Sequence, residues 1–425
     1  MASDLDTRTD LERLYIDLHR HPELSFQETR TAGVIARELD ALGIEYEEGV
    51  GKTGIVGVIR NPGETGEAGP TVWLRADTDA LPVEERTGLD YASTARGTDP
   101  QGTDVPVMHA CGHDMHVSAM LGALRRLVAT RSEWVGTVVV VFQPAEEYGA
   151  GAKAMIADGV LDRYPRPDVV LGQHVTPLPA GTIGVRSGTQ MAASDGLRVT
   201  LFGRGGHGSR PHATVDPIVM AAATVMRLQT IVSREVDPRD VAVVTVGALH
   251  AGLKNNIIPA EAVLELSLRY PDDEARERVM EKVERIVRAE AAASGAEQAP
   301  SIVIDHTLPP TVNDAGATER LSAAFDRHFG EGTVVDPGMF TGSEDVSWFA
   351  RESGAPLVYW FWGGIDADAY AAAIAADTVE RDIPTNHSPF FAPAVEPGRD
   401  GQQAERQRRL ALAGQRITVE RGRRG

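Results

Sequence analysis

The sequence predicts an α/β protein, an open sheet with helices packed on it, interrupted by a second, smaller domain. Three observations predict this. Short β-branched runs alternate with amphipathic helical stretches through the first half of the chain. After about Ser187 the texture changes to the order strand, helix, strand, strand, helix, strand, the split βαβ arrangement of a ferredoxin-like domain. The chain has 425 residues, more than one core of about 100–200 residues usually organises.

Taken in order, Leu11, Leu14, Tyr15 and Leu18 recur at helical spacing, and Ile35, Leu39 and Leu42 repeat the pattern until Gly43 stops it. Residues 55–59, 71–74, 137–142 and 168–171 read as buried strands, with a helix over 117–128 between two of them. This alternation implies a largely parallel sheet. In the insertion, 197–202 alternates, 217–232 is helical, 241–249 and 262–268 are strand-like, 273–293 is a charged helix, and 302–304 closes the set. From about Pro309 the chain resumes α/β character as far as TNHSPFF at 385–391. The expected organisation is therefore 1–188 and 309–397 for the two parts of the larger domain and 189–308 for the insertion. A basic tail over 398–425 carries eight arginines against three acidic residues. No repeat of solenoid period is present.

Composition removes several classes of function. The chain has 42 basic and 61 acidic side chains and a formal charge of −19, which argues against a surface built to neutralise phosphates, so nucleic acid is not an expected partner. The single cysteine, Cys111, cannot close an intramolecular disulfide, and nothing requires an oxidising compartment. MASDLDTRTD is not a charged-then-apolar leader, and no run of about eighteen apolar residues follows. No membrane association is expected, and a cytoplasmic location is the default expectation.

The chemistry concentrates at a few points. His109-Ala110-Cys111-Gly112-His113-Asp114-Met115-His116 places three imidazoles, a thiol and a carboxylate at the mouth of a helix. Thiolate and neutral imidazole are preferred donors for Zn and similar ions, so Cys111 and His113 could ligate a metal; a small buried cysteine is the competing account. The apolar run 139–142 ends in Gln143-Pro144-Ala145-Glu146-Glu147, and a strand end in an open α/β sheet faces the ligand crevice. Two adjacent anions repel, and a metal resolves this if one carboxylate binds it while the other accepts a proton from water. A solvated acidic turn would explain the dipeptide alone.

His174 follows a third apolar run, and His387 lies far along the chain in TNHSPFF. In Arg75-Ala76-Asp77-Thr78-Asp79-Ala80-Leu81-Pro82 two carboxylates are spaced to face one side, and Asp79 could fix the tautomer of a ligating imidazole; a plain turn before Pro82 is the alternative. In the insertion, the glycine-rich loop 203–212 carries His207 and His212 without a P-loop signature, so a carboxylate or a developing oxyanion is a better guest than a phosphate. Asn256 and Arg269 are further polar groups that could hold a substrate carboxylate, with a structural role equally open for each.

Together these segments resemble the dinuclear metallopeptidases of the aminoacylase and carboxypeptidase superfamily. Within it they resemble the amidohydrolase branch of hippurate hydrolases, auxin–amino acid conjugate hydrolases and N-acetyl-diaminopimelate deacetylases. The resemblance runs through HRHPELSFQE (19–28), RADTDALP, HACGHDMH, FQPAEE, GQHV, GGHGSRPH, NNIIP, GSED (342–345) and NHSPFF, covering about residues 10–395 in order. It implies a dinuclear-metallopeptidase catalytic domain split by a ferredoxin-like lid and dimerisation domain. It implies two divalent ions per subunit, Zn, Mn, Co or Ni, with Cys111 bridging, His113 and His174 completing one site, and Glu147 with His387 completing the other. Glu146 would be the general base and then acid, Asp79 would orient a metal-site histidine, His207 would approach the reacting carbonyl, and Asn256 and Arg269 would lie on the substrate side.

The implied reaction is hydrolysis of the amide bond of an N-acyl amino acid by a homodimer or a dimer of dimers joined through the lid. A metallo-dipeptidase or carboxypeptidase of the same superfamily is the alternative, and a catalytically silent metal- or ligand-binding protein is a remote one. Three departures stand out: Thr78 where Met is usual, Asn255 preceding Asn256, and the basic tail in place of an apolar terminal helix.

Overall fold

The computed structural model describes residues 4–63, 66 and 68–394, with side chains from residue 9 onward; the expected basic tail lies outside the described residues. In chain order the elements used below begin with α1 (Asp4–Arg20), α2 (Thr29–Leu42), β1 (Glu45–Val50), β2 (Gly54–Asn61) and β3 (Thr71–Asp77). Next come α3 (His113–Ala129), β4 (Gly136–Gln143), α4 (Gly151–Ala157), β5 (Val169–Pro179) and β6 (Ile183–Gly184). A second group is β7 (Ala193–Phe202), β8 (Gly206–His207), α5 (Pro217–Thr230), β9 (Val243–Ala251), β10 (Ile257–Ile258), β11 (Glu261–Tyr270), α6 (Asp273–Ala293) and β12 (Ser301–Leu308). The chain returns through α7 (Ala315–Phe329), β13 (Val334–Val335) and β14 (Leu357–Ile365).

Two compact units result. One takes in the chain up to Gln190, Val312–Gly338 and the chain from Asp345; the other takes in Met191–Thr311 and Met339–Glu344.

The first unit is built on an eight-stranded sheet in the order β1-β2-β4-β3-β5-β14-β6-β13. Its middle, β4-β3-β5-β14, is parallel, whereas β1–β2, β2–β4 and β14–β6 are antiparallel. The sheet is thus mixed where the sequence suggests a largely parallel one. The reason is local: β1 and β2 are joined by a tight turn, and a short connection can only reverse the chain. The parallel centre needs apolar cover on both faces, and β4 is buried along almost its whole length. Leu18, Ile35, Leu39, Val117, Leu121 and Leu124 pack on one face against Ile55, Ile59, Val138, Val140 and Phe142. Each such side chain is worth roughly 1.5–3 kcal/mol of burial. Gly43, at φ 65, ends α2 in the left-handed conformation that a side chain resists, its N–H returning to the carbonyls of Leu39 and Asp40.

The second unit carries a four-stranded antiparallel sheet in the order β9-β11-β7-β12. Helices α5 and α6 bury Met220, Leu228, Val279, Val283 and Ile286 against Leu197, Val199, Leu264, Leu266 and Leu268. Asp216 caps α5 through the N–H groups of Ile218 and Val219, with Pro217 at the first helical position, and Asp272 caps α6 through Ala275. Among the described residues, no helix is long and apolar enough to cross a membrane.

Candidate metal centre and active site

The parallel strands β3 and β4 end level with each other, Asp77 opposite Gln143. Beyond β4 the chain turns through Pro144 and Ala145, whose φ of 50 is left-handed, and delivers Glu146 and Glu147 together. A non-glycine residue held there costs about 1 kcal/mol or more, which neighbouring contacts must offset. Asp79 supplies two of them, its Oδ1 accepting from the Glu146 N–H and its Oδ2 from the Glu147 N–H, both at 3.1 Å. Gly151 opens α4 directly behind the turn; a Cβ there would lie 1.6 Å from the Pro144 carbonyl oxygen, so any side chain would push the turn away.

The thiol arrives from the other side. A turn closed by the Gly112 N–H on the His109 carbonyl presents Cys111 and starts α3 at His113. Gly112 sits at φ 82, and a Cβ on it would meet Val175 Cγ1 at 2.4 Å. The close approach that glycine permits lets the distant segment 386–391 join the loop: Asn386 Nδ2 donates to the carbonyls of Cys111 and Val175, each at 3.2 Å, and the His387 N–H donates to Ala110. His387 itself has a left-handed φ of 71 and holds Nε2 3.4 Å from Glu147 Oε2.

His174 lies within β5, opposite Phe361 of β14, rather than at a strand end as the sequence suggests, because pairing with β14 carries the strand on past it. Its Nδ1–H donates to the Val175 carbonyl at 2.6 Å, which leaves the Nε2 lone pair facing Cys111 Sγ at 3.5 Å. His113 is fully buried, with Nδ1 3.3 Å from Asp79 Oδ1 and Nε2 3.8 Å from Glu147 Oε1 and 3.9 Å from Glu146 Oε2. Neither His113 nitrogen meets the alignment of a hydrogen bond, and Glu147 Oε1 is likewise buried without a partner.

Donor atoms of Cys111, His113 and Glu147 all lie within 4.8 Å of one another, and Asp77, His113, His116 and His174 form a second such group. His116 is not available to a metal. Its Nε2 accepts the Val175 N–H at 2.8 Å, so its proton is on Nδ1 and goes to Asp77. Asp77 is gripped in turn by Arg75, whose guanidinium also bonds Gln143 and Asp345.

The electrostatics describe a site short of positive charge. Burial opposes an imidazolium at His113, yet Asp77, Asp79 and Glu147 outweigh it and push that group up to about 10. Burial, reinforced by Glu147, Glu146 and Asp77, holds the Cys111 thiol well above its ordinary range. Burial and His116 keep His174 neutral, far below the usual imidazole range. Buried donors without partners, a neutral imidazole lone pair and clustered carboxylates are what a divalent cation would satisfy together. The residues present therefore fit a metal centre, and Cys111, His113, Glu147, His174 and His387 could hold it.

The remaining candidates belong to the second unit. His207 is exposed on β8, which pairs with β10, and its Nδ1 accepts from the Ser209 N–H at 3.1 Å and lies 2.8 Å from Ser209 Oγ. A nitrogen that accepts carries no proton, so Nε2 is the donor. Exposed Asn256 is tied in through its carbonyl, which accepts the Gly208 N–H at 2.9 Å. Half-buried Arg269, near the end of β11, donates to the Thr341 carbonyl and to Ser343 Oγ, and burial lowers its pKa.

Several residues here have no role in the sequence reading: Asp77 and His116, Asn386, and Arg75 with Asp345. The alternate carboxylates of Asp77 and Asp79 and the third imidazole of HACGHDMH were visible signals for two of them. The pairing of Asp77 with His116, 39 positions apart, was not.

The chain is 39% identical to hippurate hydrolase of Campylobacter jejuni over 82% of its length and 86% of that enzyme. It is 37% identical to thermostable carboxypeptidase 1 of Saccharolobus solfataricus over 81% of the chain and 84% of that protein. Among solved structures it resembles a dinuclear metal-binding peptidase of the M20 family from Bacillus subtilis, with a TM-score of 0.73 and 31% identity, covering 98% of this chain and 99% of that one. Residues 73–386 match the peptidase family M20/M25/M40, and the chain belongs to that family.

Proposed function

We propose that the protein hydrolyses the amide bond of N-acyl amino acids, using two divalent metal ions held by Cys111, His113, Glu147, His174 and His387. The observation that carries this is the set of buried, unpartnered donors around Glu147 and His113, set beside a second carboxylate, Glu146, delivered by the same turn. A binding protein has no use for that second carboxylate. Thiolate with imidazole suits Zn, while the carboxylate also admits Mn, Co or Ni.

The bound ions would acidify water and polarise the acyl carbonyl. Glu146 takes the proton of the attacking water and returns it to the leaving amine nitrogen. Asp79 fixes the turn that carries Glu146, and its carboxylate, 3.3 Å from His113 Nδ1, would orient that ring once a metal is bound. His207, with its proton on Nε2, donates to the developing oxyanion, and Asn256 and Arg269 hold the substrate carboxylate. The likeness to a hippurate hydrolase favours an acyl group over a peptide; the likeness to a carboxypeptidase keeps peptide cleavage as the second reading.

A homodimer is part of the proposal, supported by Val219 and Met226, 65% and 72% exposed on one face of α5 in the second unit. The test is elemental analysis and a hydrolysis screen on one preparation. Two metals per chain, with hippurate and N-acetyl amino acids cleaved faster than dipeptides, are expected. Faster dipeptide cleavage would transfer the assignment to the second reading, and no hydrolysis across the panel with metal supplied would remove both.

A further inference from the structure

The turn that carries Glu146 is held by more than Asp79. Three consecutive N–H groups, those of Ala145, Glu146 and Glu147, all point at buried carboxylates, the first at Glu28 Oε1 at 2.9 Å and the other two at Asp79. Glu28 is fully buried, and its second oxygen accepts the Thr53 hydroxyl at 2.6 Å. Ser25, three residues earlier, donates its hydroxyl to Asp79 Oδ2 at 2.7 Å.

Backbone strain gathers at the same place. Besides Ala145, left-handed φ values occur at Phe26 (62) and Lys52 (88), and the Lys52 ammonium lies 3.9 Å from the centre of the Phe26 ring. Segments 25–28 and 52–53 thus form a bracket that grips the turn at Ala145, one residue before Glu146. Strained backbone survives only where its surroundings over-determine it.

We infer that Glu28 is a positioning residue for the reaction: by capturing the Ala145 N–H it holds the left-handed turn that aims the Glu146 carboxylate. This rests on the reading of Glu146 as general base. Glu28 touches neither substrate nor metal donors and acts only through the turn. Burial and the neighbouring charge of Asp79 push Glu28 up to about 7, so glutamine, which keeps an acceptor for Ala145 without the charge, is its conservative replacement.

The test is a double-mutant cycle on the metal-loaded full chain, comparing Glu28→Ala in the wild type and in a Glu146→Gln background, with hippurate as probe and metal content measured throughout. A base displaced by about an ångström loses much of a contribution of roughly 10²–10⁴-fold. Glu28→Ala should therefore lower kcat about 30-fold with KM and metal content nearly unchanged, and Glu28→Gln should restore kcat to within about 3-fold of wild type. In the Glu146→Gln background the same alanine should cost less than about 3-fold, because the group it positions is already disabled. Thr53→Val, which removes only the support on the second oxygen, should lower kcat by a smaller factor in the same direction, and it serves if Glu28→Ala does not fold. An equal loss in both backgrounds, or no loss for either Thr53→Val or Glu28→Ala, overturns the inference. Near-normal turnover by Glu146→Gln alone overturns instead the reading on which it rests.

Discussion

His113 and His207 both lie in short glycine-containing motifs, HACGHDMH and GGHGSRPH, but the two units hold them in opposite ways. His113 is sealed from solvent among the carboxylates of Asp77, Asp79, Glu146 and Glu147, all within 3.9 Å, and has no aligned partner. His207 is exposed, and local bonds from Ser209 fix its tautomer. A buried, over-charged cluster calls for a cation; an exposed, oriented N–H awaits a substrate. Variants of the buried donor cluster around His113 should therefore change metal content, and variants of His207 should change turnover at constant metal.

The largest expected effect on metal content is that of Cys111→Ser, which removes a soft donor shared by the cluster. Metal per chain should fall by half or more on dialysis, and turnover at limiting metal should drop about 10³-fold, checked by elemental analysis and kinetics on the same sample. Unchanged metal content would take Cys111 out of the centre. His207→Ala should lower kcat about 10²-fold, the usual cost of one oxyanion donor, with full metal retained. Loss of metal from that variant would erase the contrast between the units. Asp77→Asn should leave the donors in place but weaken metal affinity about 10–100-fold in a competition titration, because His116 and the strand behind His174 lose their anchor.

What the sequence made legible follows from distance along the chain. Cys111 and His113 share one loop, and Glu146 with Glu147 ends one strand, so their types and spacing announce chemistry without knowledge of the fold. His174 was found for its residue type although it lies inside β5, since nothing local discloses how far β14 extends that strand. The mixed sheet escaped notice because apolar runs do not record strand direction. Glu28 was hidden for a deeper reason: its partner, Ala145, lies 117 residues away and contributes only a backbone N–H, which leaves no trace in residue type. Asn386, spanning 275 residues to Cys111, is the same case.

The smallest effect concerns stability alone. His19, buried between Asp114 at 2.7 Å and Glu85 at 3.1 Å, has burial working against its charge, but the two carboxylates push it up to about 9. A folded pKa above the unfolded value gives stability that is complete below about pH 6.5 and disappears as pH rises through about 9, on the order of 3 kcal/mol at most. Wild-type Tm should fall between pH 7 and 9.5 by more than that of His19→Gln. Parallel declines would show that the imidazolium contributes nothing.

The central claim is that Glu146 moves the proton while its neighbours hold the metal. Turnover of Glu146→Gln on an N-acyl amino acid, with metal measured in the same preparation, tests it most directly. The account predicts two metals per chain and a loss in kcat of about 10³-fold or more; full metal with near-normal turnover would contradict it.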